Sequence, residues 1–163
     1  MALRELRTIH DEILLKVSRP VDNITDKTHQ LIDDMLETMY HAGGVGLAAV
    51  QVGVLKRILV IDTGEDGTTP IEAINPVVLH NEGTQTDWEG CLSIPGFHGE
   101  VERPMVTVIK ATNRHGEEFE LRVEGRLAVI LNHELDHLDG VLYTDKALSL
   151  HDLDDDGKCM RSS

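Results

Sequence analysis

The sequence predicts an α+β fold in which mixed or antiparallel strands pack around a central helix late in the chain. Apolar residues recur with helical spacing near both ends, β-rich runs fill the middle, and helices and strands do not alternate as in βαβ units. The 163 residues contain no internal repeat and no linker-like stretch. We therefore expect one domain over residues 1–150, followed by an acidic, flexible tail over residues 151–163.

The first predicted helix covers residues 25–42. Leu31, Met35 and Met39 recur every four residues and give this segment one apolar face, while acidic residues occupy the opposite side. Two glycines at positions 43–44 follow directly. Because glycine readily adopts the left-handed conformation that closes a helix, we expect the helix to end there.

Four β-rich runs follow in the middle of the chain. The first is the apolar stretch 56–62, and extended character continues over residues 71–79. Residues 105–111 and 118–123 flank the turn-forming residues 113–116, which predicts a β-hairpin.

The helical period returns at about residue 126. Leu127, Leu131 and Leu138 lie on one apolar face, and Gly140 is placed to end the helix. This late helix contains the sequence HELDH at residues 133–137, which fits the pattern H-E-x-x-H.

Composition excludes several classes of partner. A formal charge of −14 would repel a phosphate backbone, and aromatic residues, which stack on bases, make up only 3% of the chain. Residues 1–17 are interrupted by charges and lack the apolar core of a signal peptide, and the apolar run 127–131 is too short to span a bilayer. We therefore expect a cytoplasmic protein that binds neither nucleic acid nor a membrane.

The HELDH segment indicates a metal site. Residues four apart share one helix face, so His133 and His137 can present ring nitrogens to one ion, and Glu134 lies beside them as a general base. A solvated acidic helix with two surface histidines would give the same local sequence. A metal site requires a third ligand elsewhere in the chain, whereas a solvated helix does not.

A catalytic metal site needs three protein ligands and one open position. Asp136 and Asp139 lie on the same helix, but Asp136 points to another face and Asp139 lies nearly two turns on from His133. Cys91 is the better candidate by its chemistry, although a free cysteine is more often a small buried apolar residue.

Three blocks of sequence resemble the peptide deformylase family. They are GVGLAAVQ at residues 44–51, EGCLS at residues 89–93 and HELDH at residues 133–137, in the order and spacing of that family. The likeness runs from about residue 3 to residue 148. It implies a hydrolase that removes the formyl group from the formyl-methionine of newly synthesised polypeptides and releases formate.

The resemblance also implies which residues form the site. Cys91, His133 and His137 would hold one Fe²⁺ ion per chain, with Zn²⁺ or Ni²⁺ as possible occupants in preparations. The ligand types alone suit zinc, which has a higher intrinsic affinity than ferrous iron for such a site. Glu134 would move protons, while the Gln51 side chain and the Leu92 backbone N–H would stabilise the oxyanion.

We further expect groups that bind the substrate and groups that support the ligands. The methionine side chain is expected to lie in an apolar pocket lined by Val45, Leu92 and Val129. Gly44 and Gly46 would let the loop that bears Gln51 run close to the substrate. A ligating histidine usually donates its second ring N–H to a carboxylate, for which Glu89 and Asp136 are candidates; either could instead pair with Arg103.

Three other functions match parts of the same sequence. A metallopeptidase of other specificity fits H-E-x-x-H but not a cysteine ligand, and a catalytically inactive, metal-stabilised binding module would have no use for Glu134. The G-x-G-x-x-A pattern of residues 44–49 also matches a dinucleotide fingerprint, which however requires a strand before it and a helix after it. Because the chain lacks the basic C-terminal helix found in many bacterial deformylases, ribosome docking by that route is in doubt.

Overall fold

Two α-helices, three short 3₁₀ helices and nine strands lie in the described part of the chain, residues 2–65, 68–153 and 159–160 of a computed structural model. The helices are α1 (Asp26–His41) and α2 (Arg126–Leu138). The strands are β1 (Gly46–Ala48), β2 (Ile58–Ile61), β3 (Ile71–Glu82), β4 (Gln85–Cys91), β5 (Ile94–Arg103), β6 (Val106–Thr112), β7 (Glu118–Glu124), β8 (Ser149–Leu153) and β9 (Cys159–Met160).

The strands form two antiparallel sheets. The first has the order β1-β2-β3-β6-β7, and the second has the order β4-β5-β8-β9. Helix α1 contacts β1 and β2, whereas α2 contacts β1, β2, β6 and β7 of the first sheet as well as β5 of the second. The α+β prediction is therefore confirmed, with α2 as the element that joins both sheets.

Strand β2 separates two apolar cores. Ile58 and Val60 pack with the apolar face of α1, and the alternate residues Leu59 and Ile61 pack with the core that contains α2. Successive side chains of a strand point to opposite faces, so a strand covered on both sides must be apolar throughout. This explains why residues 58–61 form an uninterrupted apolar run.

The predicted elements are present, but the second sheet was not predicted. Helices α1 and α2 and strands β2, β3, β6 and β7 match the predicted segments closely. The predicted tail boundary at residue 151 falls inside β8, which pairs with β5 through residue 152. Residues 154–158 and 161–163 lie outside the described residues, so the flexible tail stays a prediction.

The dinucleotide fingerprint does not have its required context. Residues 44–49 follow α1, pass through the three-residue strand β1 and enter a short 3₁₀ turn, Ala49–Val52. A helix precedes the pattern and no α-helix follows it, which is the reverse of the βα arrangement that binds a pyrophosphate. Among the described residues, neither helix is long and apolar enough to cross a membrane.

A buried carboxylate ties the N-terminal segment to α1. Asp34 is 4% exposed and accepts hydrogen bonds from the Ala2 N–H at 2.7 Å, Arg4 Nε at 2.9 Å and Gln30 Nε2 at 2.7 Å. Burial opposes ionisation of Asp34, but these hydrogen bonds outweigh it and hold its pKa below the ordinary value.

We predict that Asp34→Asn lowers the free energy of unfolding by about 2 kcal/mol at pH 7, because it removes charge-assisted hydrogen bonds. Because the pKa of Asp34 is lower in the folded state, its contribution to the free energy of unfolding is fully present above the ordinary aspartate pKa. That contribution is lost as the pH falls through the folded-state pKa. The difference between variant and wild type, measured by urea unfolding, should therefore shrink between pH 5 and about pH 3. An equal difference at both pH values would contradict this assignment.

Candidate active site

The late helix and the end of β4 bring three metal-binding side chains together. The ligand atoms of Cys91, His133 and His137 all lie within 4.8 Å of one another, and within the described part of the chain no other group of three such residues does so. Cys91 Sγ lies 3.3 Å from His137 Nε2, and the two imidazole centroids are 5.0 Å apart. The one-face arrangement predicted from the four-residue spacing is therefore present.

The ring orientation of His133 is fixed by Glu89. His133 Nδ1 lies 2.8 Å from Glu89 Oε1, and an ionised carboxylate only accepts, so Nδ1 donates to it and Nε2 is the nitrogen left to face a metal ion. Burial raises the pKa of Glu89, but hydrogen bonds from Arg103 and His133 lower it by a larger amount. The net shift of the pKa is therefore downward. This is the arrangement of a histidine ligand oriented by a carboxylate.

The donor set fits a divalent transition metal. Burial and the nearby charge of His133 lower the pKa of His137 to about 3, so its imidazole is neutral and able to coordinate. Burial opposes protonation of His133 as well, but hydrogen bonds with Cys91 and Glu89 raise its pKa well above the ordinary value. Coordination of a cation would require His133 to give up its extra proton, so that both imidazoles are neutral.

A buried guanidinium supports this arrangement. Arg103 is 3% exposed; its Nε and Nη2 donate to the two oxygens of Glu89 at 2.7 and 2.8 Å, and its Nη1 donates to Asp136 at 2.5 Å. Lys146 Nζ lies 3.2 Å from the other Asp136 oxygen. Of the two predicted carboxylates, Glu89 therefore contacts both the ligand His133 and Arg103, whereas Asp136 pairs with Arg103 and not with a ligand histidine.

Glu134 is enclosed beside the ligands. It is 4% exposed, and its Oε1 has no hydrogen-bond partner among the described residues. Burial raises the pKa of its carboxyl to about 7. A Cβ added at Gly46 would lie 2.5 Å from Glu134 Oε2, so the carboxylate rests directly against the backbone of β1. A carboxyl with such a pKa can both take and release a proton near neutrality.

Gln51 is held in a fixed orientation near the thiol. It is 1% exposed, and its Oε1 accepts from the Ala48 N–H at 2.9 Å. Its Nε2 donates to Ser93 Oγ at 3.1 Å and lies 3.6 Å from Cys91 Sγ. The amide N–H₂ therefore points toward the ligand group, as a donor to a developing oxyanion must.

A cavity of about 370 Å³ opens beside these groups. Its walls include all the residues predicted to contact the substrate, namely Gly44, Val45, Gly46, Leu92 and Val129. Sequence reasoning missed other wall residues, including Trp88, Phe97 and Arg126. Trp88 stands three residues before Cys91, but β4 was not predicted as a strand, so nothing in the sequence placed the ring at the cavity.

Tyr143 was also missed. It is 1% exposed, and its ring stacks on the His133 imidazole with centroids 5.8 Å apart and an interplanar angle of 25°. Burial, together with the nearby Cys91 and Glu89, raises the pKa of its hydroxyl to about 12. The tyrosine therefore stays neutral and closes one side of the ligand group.

One thiol, two imidazoles and a buried carboxyl beside an apolar cavity are the groups that a metal-dependent hydrolase with three protein ligands uses. The sequence model of one family, described as polypeptide deformylase, matches residues 3–152. The chain belongs to this family, whose members are metal-dependent.

Known proteins of the family are similar over most of the chain. The peptide deformylase of Acetivibrio thermocellus is 56% identical over 155 residues, which are 95% of this chain and 89% of that protein. The crystal structure of a peptide deformylase from Legionella pneumophila is 42% identical, with a TM-score of 0.86 over 89% of this chain and 86% of that one. A peptide deformylase from Synechococcus elongatus, solved in complex with actinonin, is 39% identical, with a TM-score of 0.86 over 88% of this chain and 80% of that one.

We predict that Arg103→Met lowers the free energy of unfolding by about 3–5 kcal/mol, because it leaves the carboxylates of Glu89 and Asp136 without their buried partner. Metal affinity should fall about 10- to 100-fold as His133 loses its fixed orientation. Urea unfolding and metal titration measure the two effects. Arg122→Met is the matched control, since its pair with Glu124 is more than half exposed and should contribute at most about 1 kcal/mol. Equal losses in both variants would contradict the prediction.

We predict that Gly46→Ala lowers kcat about 100-fold, because the added methyl group displaces the Glu134 carboxylate and a shift of about 1 Å can have this effect. Gly90→Ala is the comparison variant, since its Cβ would meet only the Phe97 carbonyl oxygen at an ordinary 3.6 Å. Both variants should keep one metal ion per chain. A wild-type kcat in Gly46→Ala would show that the contact does not position Glu134.

Proposed function

We propose that the chain is a metal-dependent peptide deformylase, which hydrolyses the formyl amide of formyl-methionine at the start of newly synthesised polypeptides and releases formate. The observation that supports this most directly is the convergence of Cys91, His133 and His137 beside Glu134, in a chain of the deformylase family. Membership alone would be compatible with an inactive relative. The buried carboxyl and the oriented Gln51 amide favour an active one.

Cys91, His133 and His137 would hold the ion, and we propose Fe²⁺ as the working metal, with Zn²⁺ or Ni²⁺ able to replace it. An ion held there would supply Lewis acidity, lowering the pKa of a water molecule and polarising the formyl carbonyl. A thiolate and two imidazoles suit all three metals by ligand type, so the choice of iron follows from the family likeness. Activity of anaerobically prepared protein, loaded with each metal in turn, distinguishes them.

The chain's own residues account for the remaining chemistry. Glu134, with a pKa raised by burial to about 7, accepts the proton of the attacking water and passes it to the leaving amine. The Gln51 amide N–H and the Leu92 backbone N–H donate to the oxyanion of the tetrahedral intermediate. Gln51 needs little rearrangement for this, because its amide is already anchored on both sides.

The cavity supplies the binding of the methionine residue. Val45, Val129 and Leu92 provide apolar surface for its side chain, and Gly44 and Gly46 allow the peptide to approach β1 closely. A cavity of about 370 Å³ lies at the lower end of the range for small-molecule sites. It suits one residue and its formyl group better than a chain that extends in both directions from the scissile bond, as a peptidase requires.

We also propose that the enzyme acts in the cytoplasm on nascent formyl-methionyl polypeptides. Its negative charge, −14 over the whole sequence, disfavours direct contact with ribosomal RNA.

We predict that the iron-loaded protein releases free amine from formyl-Met-Ala-Ser but not from acetyl-Met-Ala-Ser. Glu134→Ala should retain one metal ion per chain and lose at least about 10²- to 10⁴-fold in kcat, because the proton carrier is gone. Glu118→Ala, an exposed acid on β7, is the control and should keep wild-type activity. Inhibition by actinonin, which binds the Synechococcus elongatus relative, is an independent check.

Different results would favour the alternatives. Inertness toward both peptides in a fully metal-loaded sample would favour the binding module. Cleavage of internal peptide bonds at a rate similar to deformylation would favour a metallopeptidase of other specificity.

A further inference from the structure

Three aromatic rings form a cluster on the second sheet, away from the three ligands described above. Trp88 lies on β4, His98 on β5 and His151 on β8, and His98 is paired directly opposite His151 in the antiparallel register. The Trp88 ring stacks on His98 with centroids 4.7 Å apart and contacts His151 edge-on at 5.2 Å. The two imidazole centroids are 6.1 Å apart. His98 and His151 together form the histidine pair.

Each imidazole of the histidine pair contains a buried nitrogen without a partner. His98 Nε2 and His151 Nδ1 are excluded from solvent, and neither has a hydrogen-bond partner among the described residues. A polar nitrogen out of contact with water normally has a partner, because leaving it unsatisfied costs roughly 1–3 kcal/mol. Two such nitrogens on directly opposed residues of neighbouring strands are therefore a feature that packing alone does not explain.

We propose that the histidine pair is a second binding site for a divalent transition metal, separate from the ligand group of Cys91, His133 and His137. Neutral imidazole nitrogens are ligands for Ni²⁺, Zn²⁺ and Cu²⁺. An imidazole that coordinates at about 2.0–2.1 Å has its ring centre about 3 Å from the ion, so two rings on one ion can be up to about 6 Å apart. The observed 6.1 Å matches two rings on opposite sides of one ion, as in an octahedral site.

The surroundings favour a cation but provide few further ligands. Glu100 lies two residues after His98 on the same strand and hence on the same face, and it is paired opposite Trp88. Its carboxylate adds negative potential next to the imidazoles. Within the described part of the chain no third ligand atom completes a compact group here. Water would therefore fill the other positions, and the site should be weaker than the primary one.

An ion at the histidine pair would connect two parts of the protein. It would link β8 to β5 through side chains, in addition to the backbone pairing of residues 149–152. It would also lie against Trp88, whose ring forms part of the cavity wall. Trp88 is the only tryptophan of the chain, so its fluorescence reports on this site specifically once the primary site is filled.

The test uses the full chain with the primary site already loaded with one Ni²⁺ ion. Further Ni²⁺ is added while bound metal is measured by equilibrium dialysis and Trp88 fluorescence is recorded. We expect a second ion per chain and quenching of Trp88 with the same midpoint. His98→Gln and His151→Gln should each weaken the second binding step at least about tenfold and remove the parallel quenching. Circular dichroism and the thermal midpoint show whether each variant is folded.

His80→Gln is the matched control. His80 is also on a strand, but its side chain is 60% exposed and its neighbour at 3.8 Å is Glu82 rather than a second histidine. This variant should behave as wild type. The proposal is overturned if no second ion binds, if the second ion persists with unchanged affinity in a folded His98→Gln or His151→Gln variant, or if it binds without affecting Trp88.

Discussion

The contact between Arg103 and Glu89 determines where the second sheet meets helix α2. Arg103 belongs to β5 and Glu89 to β4, and the same guanidinium reaches Asp136 on α2 while Glu89 reaches His133. Glu89 stands two residues before Cys91, so the interaction that docks the sheet on the helix also brings the thiol to the two imidazoles. A buried ion pair of this kind is weak as a source of stability, but its two parallel hydrogen bonds fix the relative orientation of the two side chains.

The apolar cores hold the other half of the site in place. Helix α2 buries its leucines against the first sheet, which leaves one helix face for His133, Glu134 and His137. The backbone of β1 is packed between the two cores and approaches Glu134 so closely that a side chain at position 46 would displace the carboxylate. Apolar packing therefore holds the part of the site on α2 and β1, and the buried ion pair holds the part at the end of β4.

This difference also explains what the sequence could predict. Helices α1 and α2 and strand β2 bury apolar side chains at regular intervals, so their periodicity is visible without a structure. Strands β4 and β5 instead place Glu89 and Arg103 among their buried residues. A strand whose inner face is charged shows no alternation of apolar and polar residues. The second sheet was therefore missed, together with Trp88 and Phe97 at the cavity.

The site was predictable to the extent that its chemistry is local in sequence. The spacing of His133 and His137 predicted a shared ion. Cys91 was chosen by its chemistry and by resemblance, because it lies 46 positions from His137 in the sequence and no local pattern indicates that the two side chains are 3.3 Å apart in space. The pairing of His98 with His151 depends in the same way on two strands that periodicity does not reveal. Charged inner faces thus have two effects in this protein: they conceal strands from sequence analysis, and they bring metal-binding side chains from distant segments together.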